Sequence, residues 1–148
     1  MKSFKALITP LTAALLLFGL TANTYADTAV NKKTQTRDSG LTDAPRTQSI
    51  AMNNAVNMQT LYDPDNVDIE IVAYGPGLGM LTKKSELTPR VKSLAMQDVK
   101  ISACMNTMNK VKEKTGKRPQ LTEGVGTVPA GVASIMELQE DHYSFIRP

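Results

Sequence analysis

From Val67 onward the sequence alternates between short apolar runs and segments with helical spacing, and no other property of the chain limits its fold so strongly. Residues 67–74 are the plainest run: Val67, Ile69 and Ile71 share one face, and the run ends apolar on both, as a strand entering a covered sheet does. Thr88-Pro89 opens a helix with Leu87, Val91, Leu94 and Ala95 facing inward. Residues 99–103 read as a buried strand, followed by a helix that carries Met105, Met108 and Val111 and ends near Gly116, a residue suited to a left-handed C-cap. After a loop at 117–124, a short strand turns at once through 126–131. Residues 132–141 form a helix with Val132, Ile135, Met136 and Leu138 apolar, and 143–148 make an alternating final strand. Strands separated by helices imply parallel pairing through right-handed crossovers, hence an α/β fold with helices on both faces of the sheet.

Upstream of this pattern, a helix is expected from an N-cap at Thr42 or Asp43, with Pro45 in its first turn, to about Tyr62. Ser49, Asn53, Asn57 and Thr60 fall on one narrow polar face, and the remaining arc is apolar enough to require cover over much of its circumference. Residues 27–40 are polar and aperiodic, the composition of a flexible segment with at most a poor strand through Thr34 and Thr36. Residues 1–26 have the form of an export signal: Lys2 and Lys5, an apolar run over 11–20, and Thr24-Tyr25-Ala26 as the cleavage site. The expected organisation is a signal peptide at 1–26, a polar segment at 27–40 and one domain at 41–148. Periplasmic or secreted localisation without stable membrane insertion follows.

Loss of the leader removes two lysines and no acids, so 17 basic against 14 acidic residues become 15 against 14. With that balance, three phenylalanines, four tyrosines and no tryptophan, the chain lacks the basic patch and the stacking platform of a nucleic-acid binder. The single cysteine cannot form an internal disulfide, so its thiol needs another account.

Cys104 lies where the 99–103 strand gives way to a helix that Asn106 or Thr107 can cap. At the carboxyl edge of a sheet and beside a helix amino end, a thiolate is favoured over a thiol. The opposing reading is a small buried hydrophobe. Gly75, Gly77 and Gly79 follow a strand directly and allow backbone N–H groups to approach a ligand, although they match neither a P-loop nor a dinucleotide fingerprint; a tight strand-to-helix turn explains them equally. These glycines, Cys104 to Asn106, and Pro129 to Gly131 all fall at strand carboxyl ends, so they should share one rim. The ligand-binding candidates are Gly75, Gly77, Gly79, Asn106, Thr107, Pro129 and Gly131. Met105 and Met108 beside Cys104 suggest a soft-metal set, but core filling accounts for them, and His142 with Glu137 and Asp141 is thin as a site; no metal or cofactor is expected.

The runs Met52-Asn53-Asn54-Ala55, Ala73-Tyr74-Gly75-Pro76-Gly77, Ala103-Cys104-Met105-Asn106-Thr107 and Val128-Pro129-Ala130-Gly131-Val132, with the ending at 143–148, resemble the DsrE/DsrF-like family of small sulfur-relay proteins, in an exported branch. The resemblance implies a flavodoxin-like three-layer domain assembled into trimers or hexamers, with a cysteine at the position of Cys104 that carries persulfide sulfur and a protein donor or acceptor. Family members begin with an apolar central strand. Here residues 33–40 occupy that place, so the first strand is expected to be degraded or missing. Without an obvious general base, a thiol carrier fits better than a hydrolytic enzyme. The alternative is a structural or small-ligand-binding oligomeric module in which Cys104 is buried and unreactive.

Overall fold

The computed structural model describes residues 34–38 and 44–147; the expected leader, residues 27–33 and the caps assigned to Thr42 or Asp43 lie outside the described residues. Five strands, β1 (Thr34–Asp38), β2 (Ile69–Ala73), β3 (Lys100–Cys104), β4 (Gly126–Val128) and β5 (Ser144–Ile146), form one sheet in the order β4-β3-β2-β1-β5. Every pairing in it is parallel. Four helices connect them: α1 (Pro45–Tyr62), α2 (Thr88–Ala95), α3 (Met105–Thr115) and α4 (Gly131–Glu140).

The first strand is the main departure from expectation. Thr34 to Asp38 pair with the whole of β2 on one side and with Ser144 to Ile146 on the other. A polar pentapeptide therefore occupies the interior of a parallel sheet, where apolar runs are usual. The backbone explains this: without β1, the facing edges of β2 and β5 would lose their ladder partners, which costs more than an unfavourable side-chain pattern. The flexible segment expected over 27–40 thus contains an ordered strand, and the domain reaches back to Thr34.

Stepping from β1 to β2 to β3 to β4 in one direction through right-handed crossovers places α1, α2 and α3 on one face; the return from β4 to β5 places α4 on the other. Side-chain alternation agrees. Ile69, Ile71, Ala73, Ile101 and Ala103 pack with Met52 and Ala55 of α1, Val91 and Leu94 of α2, and Met108 of α3. The opposite face carries Glu70, Val72, Ser102 and Cys104, all buried, with Ile135 of α4. Glu70 interrupts a run expected to become apolar on both faces. It is 2% exposed, accepts a 2.6 Å hydrogen bond from the Ser102 hydroxyl, and lies 3.0 Å from the Lys100 ammonium.

Local details refine several other expectations. Ala44 is the residue flanking α1, and its carbonyl accepts from the Gln48 N–H. Strand β4 includes Gly126 to Val128, so the turn starts after Val128 and not at Gly126. The C-cap expected at Gly116 is left-handed, with φ of 75°. The connections after the other helices use residues of positive φ that are not glycine: Asp63, Asp98 and His142. Asp and His are among the few types that tolerate this region. The cover expected around α1 is incomplete in the single chain, where Leu61 is 70% exposed. No helix among the described residues is long and apolar enough to cross a membrane.

Candidate functional site

Cys104 is the last residue of β3 and also the N-cap of α3, with extended backbone angles (φ −72°, ψ 116°). The cap therefore lies two to three residues earlier than expected: Asn106 and Thr107 are not caps but members of the first helical turn. This shift matters chemically. At the N-cap, a side chain faces the first N–H groups of the helix, which have no intrahelical acceptor.

Burial, at 4% exposure, is the largest influence on the thiol and pushes its pKa upward. The hydrogen bonds offset it. The Gly131 N–H donates to Sγ at 3.3 Å, and the backbone N–H and hydroxyl of Thr107 and the backbone N–H of Asn106 also favour the thiolate. The net result is a pKa below the ordinary thiol value. Gly131 is the first residue of α4, so the amino ends of two helices converge on one sulfur.

Neighbouring groups hold this arrangement in place. Thr107 Oγ1 accepts from the Gly75 N–H at 3.0 Å, which ties the turn after β2 to the start of α3. The Gly131 N–H is the one hydrogen-bond donor to the sulfur among the described residues, and the Thr107 hydroxyl, fixed by Gly75, adds to the polarity that favours the thiolate. The Pro129 carbonyl accepts from the Asn106 N–H at 3.3 Å and joins α3 to the loop before α4. A Cβ on Gly131 would meet Tyr74 carbons at 3.1 to 3.3 Å, so a glycine there lets α4 approach closely enough for its N–H to reach the sulfur.

Of the residues expected on the rim, Cys104, Gly75, Asn106, Thr107, Pro129 and Gly131 are brought together by these bonds. Gly77 and Gly79 are not. The segment Gly75–Leu81 closes into a 3-10 helix, Gly77 is buried, and Gly79 faces open space with nothing near its Cβ position. These glycines form a strand-to-helix turn, one of the two readings that the sequence offered for them. His142 follows α4 at its carboxyl end, a helix length of about 15 Å from Gly131. Sequence reasoning did not anticipate Tyr74 as the wall against Gly131; its position directly before Gly75 was the available signal.

A parallel α/β domain with one cysteine set against two helix amino ends at the carboxyl edge of its sheet defines a small thiol-bearing α/β protein. The DsrE/DsrF-like family matches residues 34–148, most of the chain, and the protein belongs to that family. The match starts at the first residue of β1. Among solved structures, the protein of unknown function MTH1491 from Methanobacterium thermoautotrophicum is similar at 28% identity and a TM-score of 0.66, over 78% of this chain and 96% of that one. The ychN protein from E. coli shares the fold, with 11% identity and a TM-score of 0.62 over 79% and 99% of the two chains. No curated protein matches the chain. Family membership points to a role related to sulfur relay.

Proposed function

We propose that the protein binds or passes sulfane sulfur through Cys104. The observation that carries this reading is the Gly131 N–H donated to Sγ from the amino end of a second helix, on a sulfur that already caps α3. A buried structural cysteine has no need of a donor set that favours its thiolate. In the transfer step the Cys104 thiolate attacks the outer sulfur of a donor persulfide. A bond forms from Sγ to that sulfur, the donor's S–S bond breaks, and the donor leaves as a thiolate that takes up a proton from water. Cys104 is left as a persulfide, with no net redox change. The Thr107 hydroxyl and the Gly131 N–H stabilise the attacking anion.

Export to the periplasm or the medium and assembly into a trimer or hexamer are part of the same proposal. The leader-like residues 1–26 support the first, and the exposed apolar residues Leu61, Val132 and Met136 support the second. Incubation of the purified protein with polysulfide, followed by intact-mass analysis, tests the sulfur chemistry. An added sulfur atom that is removed by reductant and absent in Cys104→Ser is expected. The 4% exposure of Cys104 favours the second reading, a structural or ligand-binding oligomer with an inert thiol. A cysteine that takes up neither sulfur nor alkylating agent until denaturant is added would establish that reading instead.

A further inference from the structure

A second site is built at the far end of α3. The chain after Gly75–Leu81 and the chain after α3 are pinned together: the Lys83 N–H donates to the Gln120 carbonyl at 2.9 Å, the Thr122 N–H donates to the Leu81 carbonyl at 2.8 Å, and Thr82 bridges Leu121. This pairing sets Lys83 and Lys84 beside Lys117 and Arg118 around a cavity of about 540 Å³, with Val111 and Pro119 also in its lining. Neither of the two salt bridges among the described residues, Lys92 with Glu123 and Lys100 with Glu70, involves any of these four cations. The Arg118 guanidinium is held by a neutral partner, the Asn109 side-chain oxygen, at 2.6 Å, which fixes its position and leaves its charge unspent.

Like charges gathered by a backbone bridge repel one another, and a concave surface lined by them concentrates anions. Lys83 also lines an adjoining cavity of about 570 Å³ that includes Thr122. The Thr122 hydroxyl is buried, in a residue 2% exposed, and has no hydrogen-bond partner among the described residues. The volume is that of a small-molecule site.

We propose that this cleft binds a small organic polyanion of the nucleoside polyphosphate class. The phosphates meet Lys83, Lys84, Lys117 and Arg118, and the organic body covers Val111 and Pro119. Arginine and lysine donate charge-assisted hydrogen bonds to phosphate oxygens, and arginine can do so in bidentate fashion. The site lies about 10–16 Å along α3 from Cys104, from Val111 to the helix end, and does not depend on sulfur chemistry.

Isothermal titration of the full chain with ATP, pyrophosphate and a poly-glutamate peptide, at low and at physiological salt, tests the proposal. ATP should bind more tightly than pyrophosphate, and both should weaken with salt. The double variant Lys84→Gln/Lys117→Gln should bind ATP about tenfold more weakly, roughly threefold for each exposed cation. Its melting temperature and Cys104 alkylation should match the parent. Absence of ATP binding at millimolar concentration, equal binding by the folded variant, or ATP no tighter than pyrophosphate would each overturn the proposal. Capture of poly-glutamate without either phosphate compound would overturn it in favour of an acidic protein partner.

Discussion

Replacing Thr107 by valine removes a hydroxyl with two roles. The side chain keeps its branched shape, while the hydroxyl that accepts from the Gly75 N–H at 3.0 Å and favours the Cys104 thiolate is lost. A hydrogen bond to an ionised group contributes about 1.5–3 kcal/mol, and one pKa unit corresponds to about 1.4 kcal/mol. Since Gly131 and the Thr107 and Asn106 backbone donors remain, the lower end applies, and the thiol pKa should rise by about one unit. The pH dependence of iodoacetamide alkylation, followed by intact mass, reads this directly. Below both pKa values the variant has about a tenth of the thiolate, but its thiolate is the stronger nucleophile, with a Brønsted slope of about 0.4–0.5, so the rate should fall only about threefold. Above both values the variant should be the faster by about the same factor. Thr107→Ser keeps the hydroxyl and should reproduce the parent curve. A folded Thr107→Val protein with the parent pKa would refute the hydroxyl's part in the thiolate preference. Equal shifts in the valine and serine variants would refute it as well, because they would trace the effect to packing.

Other outcomes follow from the same structure. The depressed Cys104 pKa means that, between the folded value and the unfolded value of about 8.5, the unfolded chain holds a proton that the folded chain has lost, so stability rises with pH through that window. Urea unfolding of the parent relative to Cys104→Ser should show a gain that is full above the unfolded value and vanishes as pH falls through the folded one; a flat difference would contradict the assignment. Ser102→Ala deprives the buried Glu70 carboxylate of its 2.6 Å partner and should cost about 2 kcal/mol in chemical denaturation. A cost below about 0.5 kcal/mol would show that water replaces the hydroxyl. Gly124 has φ of 84°, and a Cβ there would stand 2.7 Å from Ala95 Cβ, an atom with no rotamer to yield. Gly124→Ala should therefore lower stability by about 3 kcal/mol, visible as a large drop in melting temperature.

Most of the fold was legible because its signals are local. Val67 to Ala73 declare a covered strand by composition, Pro45 and Pro89 mark helix starts, and Gly116 marks a helix end. What sequence obscured was set by tertiary pairing. The residues of β1 carry no apolar pattern, and their strand exists because β2 and β5 each supply a ladder to it. Glu70 sits in a strand whose neighbours are apolar, and only the register that places it opposite Lys100, with Ser102 on the same face, makes its burial tolerable. The cationic cleft was hidden in the same way: the near balance of total charge averages over Lys83, Lys84, Lys117 and Arg118, which the bridge at Thr82 and Leu121 brings together.

The position of the sulfur follows from topology more than from any motif. Strands β3 and β4 are neighbours, with Cys104 opposite Val128, yet the helices that leave them pass to opposite faces of the sheet. Adjacent strands whose connections diverge open a crevice at their carboxyl ends, the place where open α/β sheets bind ligands. The chain leaves β3 at Cys104 with no loop before α3, and leaves β4 through only Pro129 and Ala130 before α4. Connections this short bring both helix amino ends to the crevice itself, so the sulfur at its edge takes the Gly131 N–H of α4 while it caps the first turn of α3. A cysteine two residues earlier, at the position of Ser102, would face the same layer of the sheet as Cys104 but would sit within the strand ladder, beyond the reach of either helix end. The reactivity ascribed to Cys104 is therefore a property of the β3–β4 edge that the thiol inherits from where the strand stops.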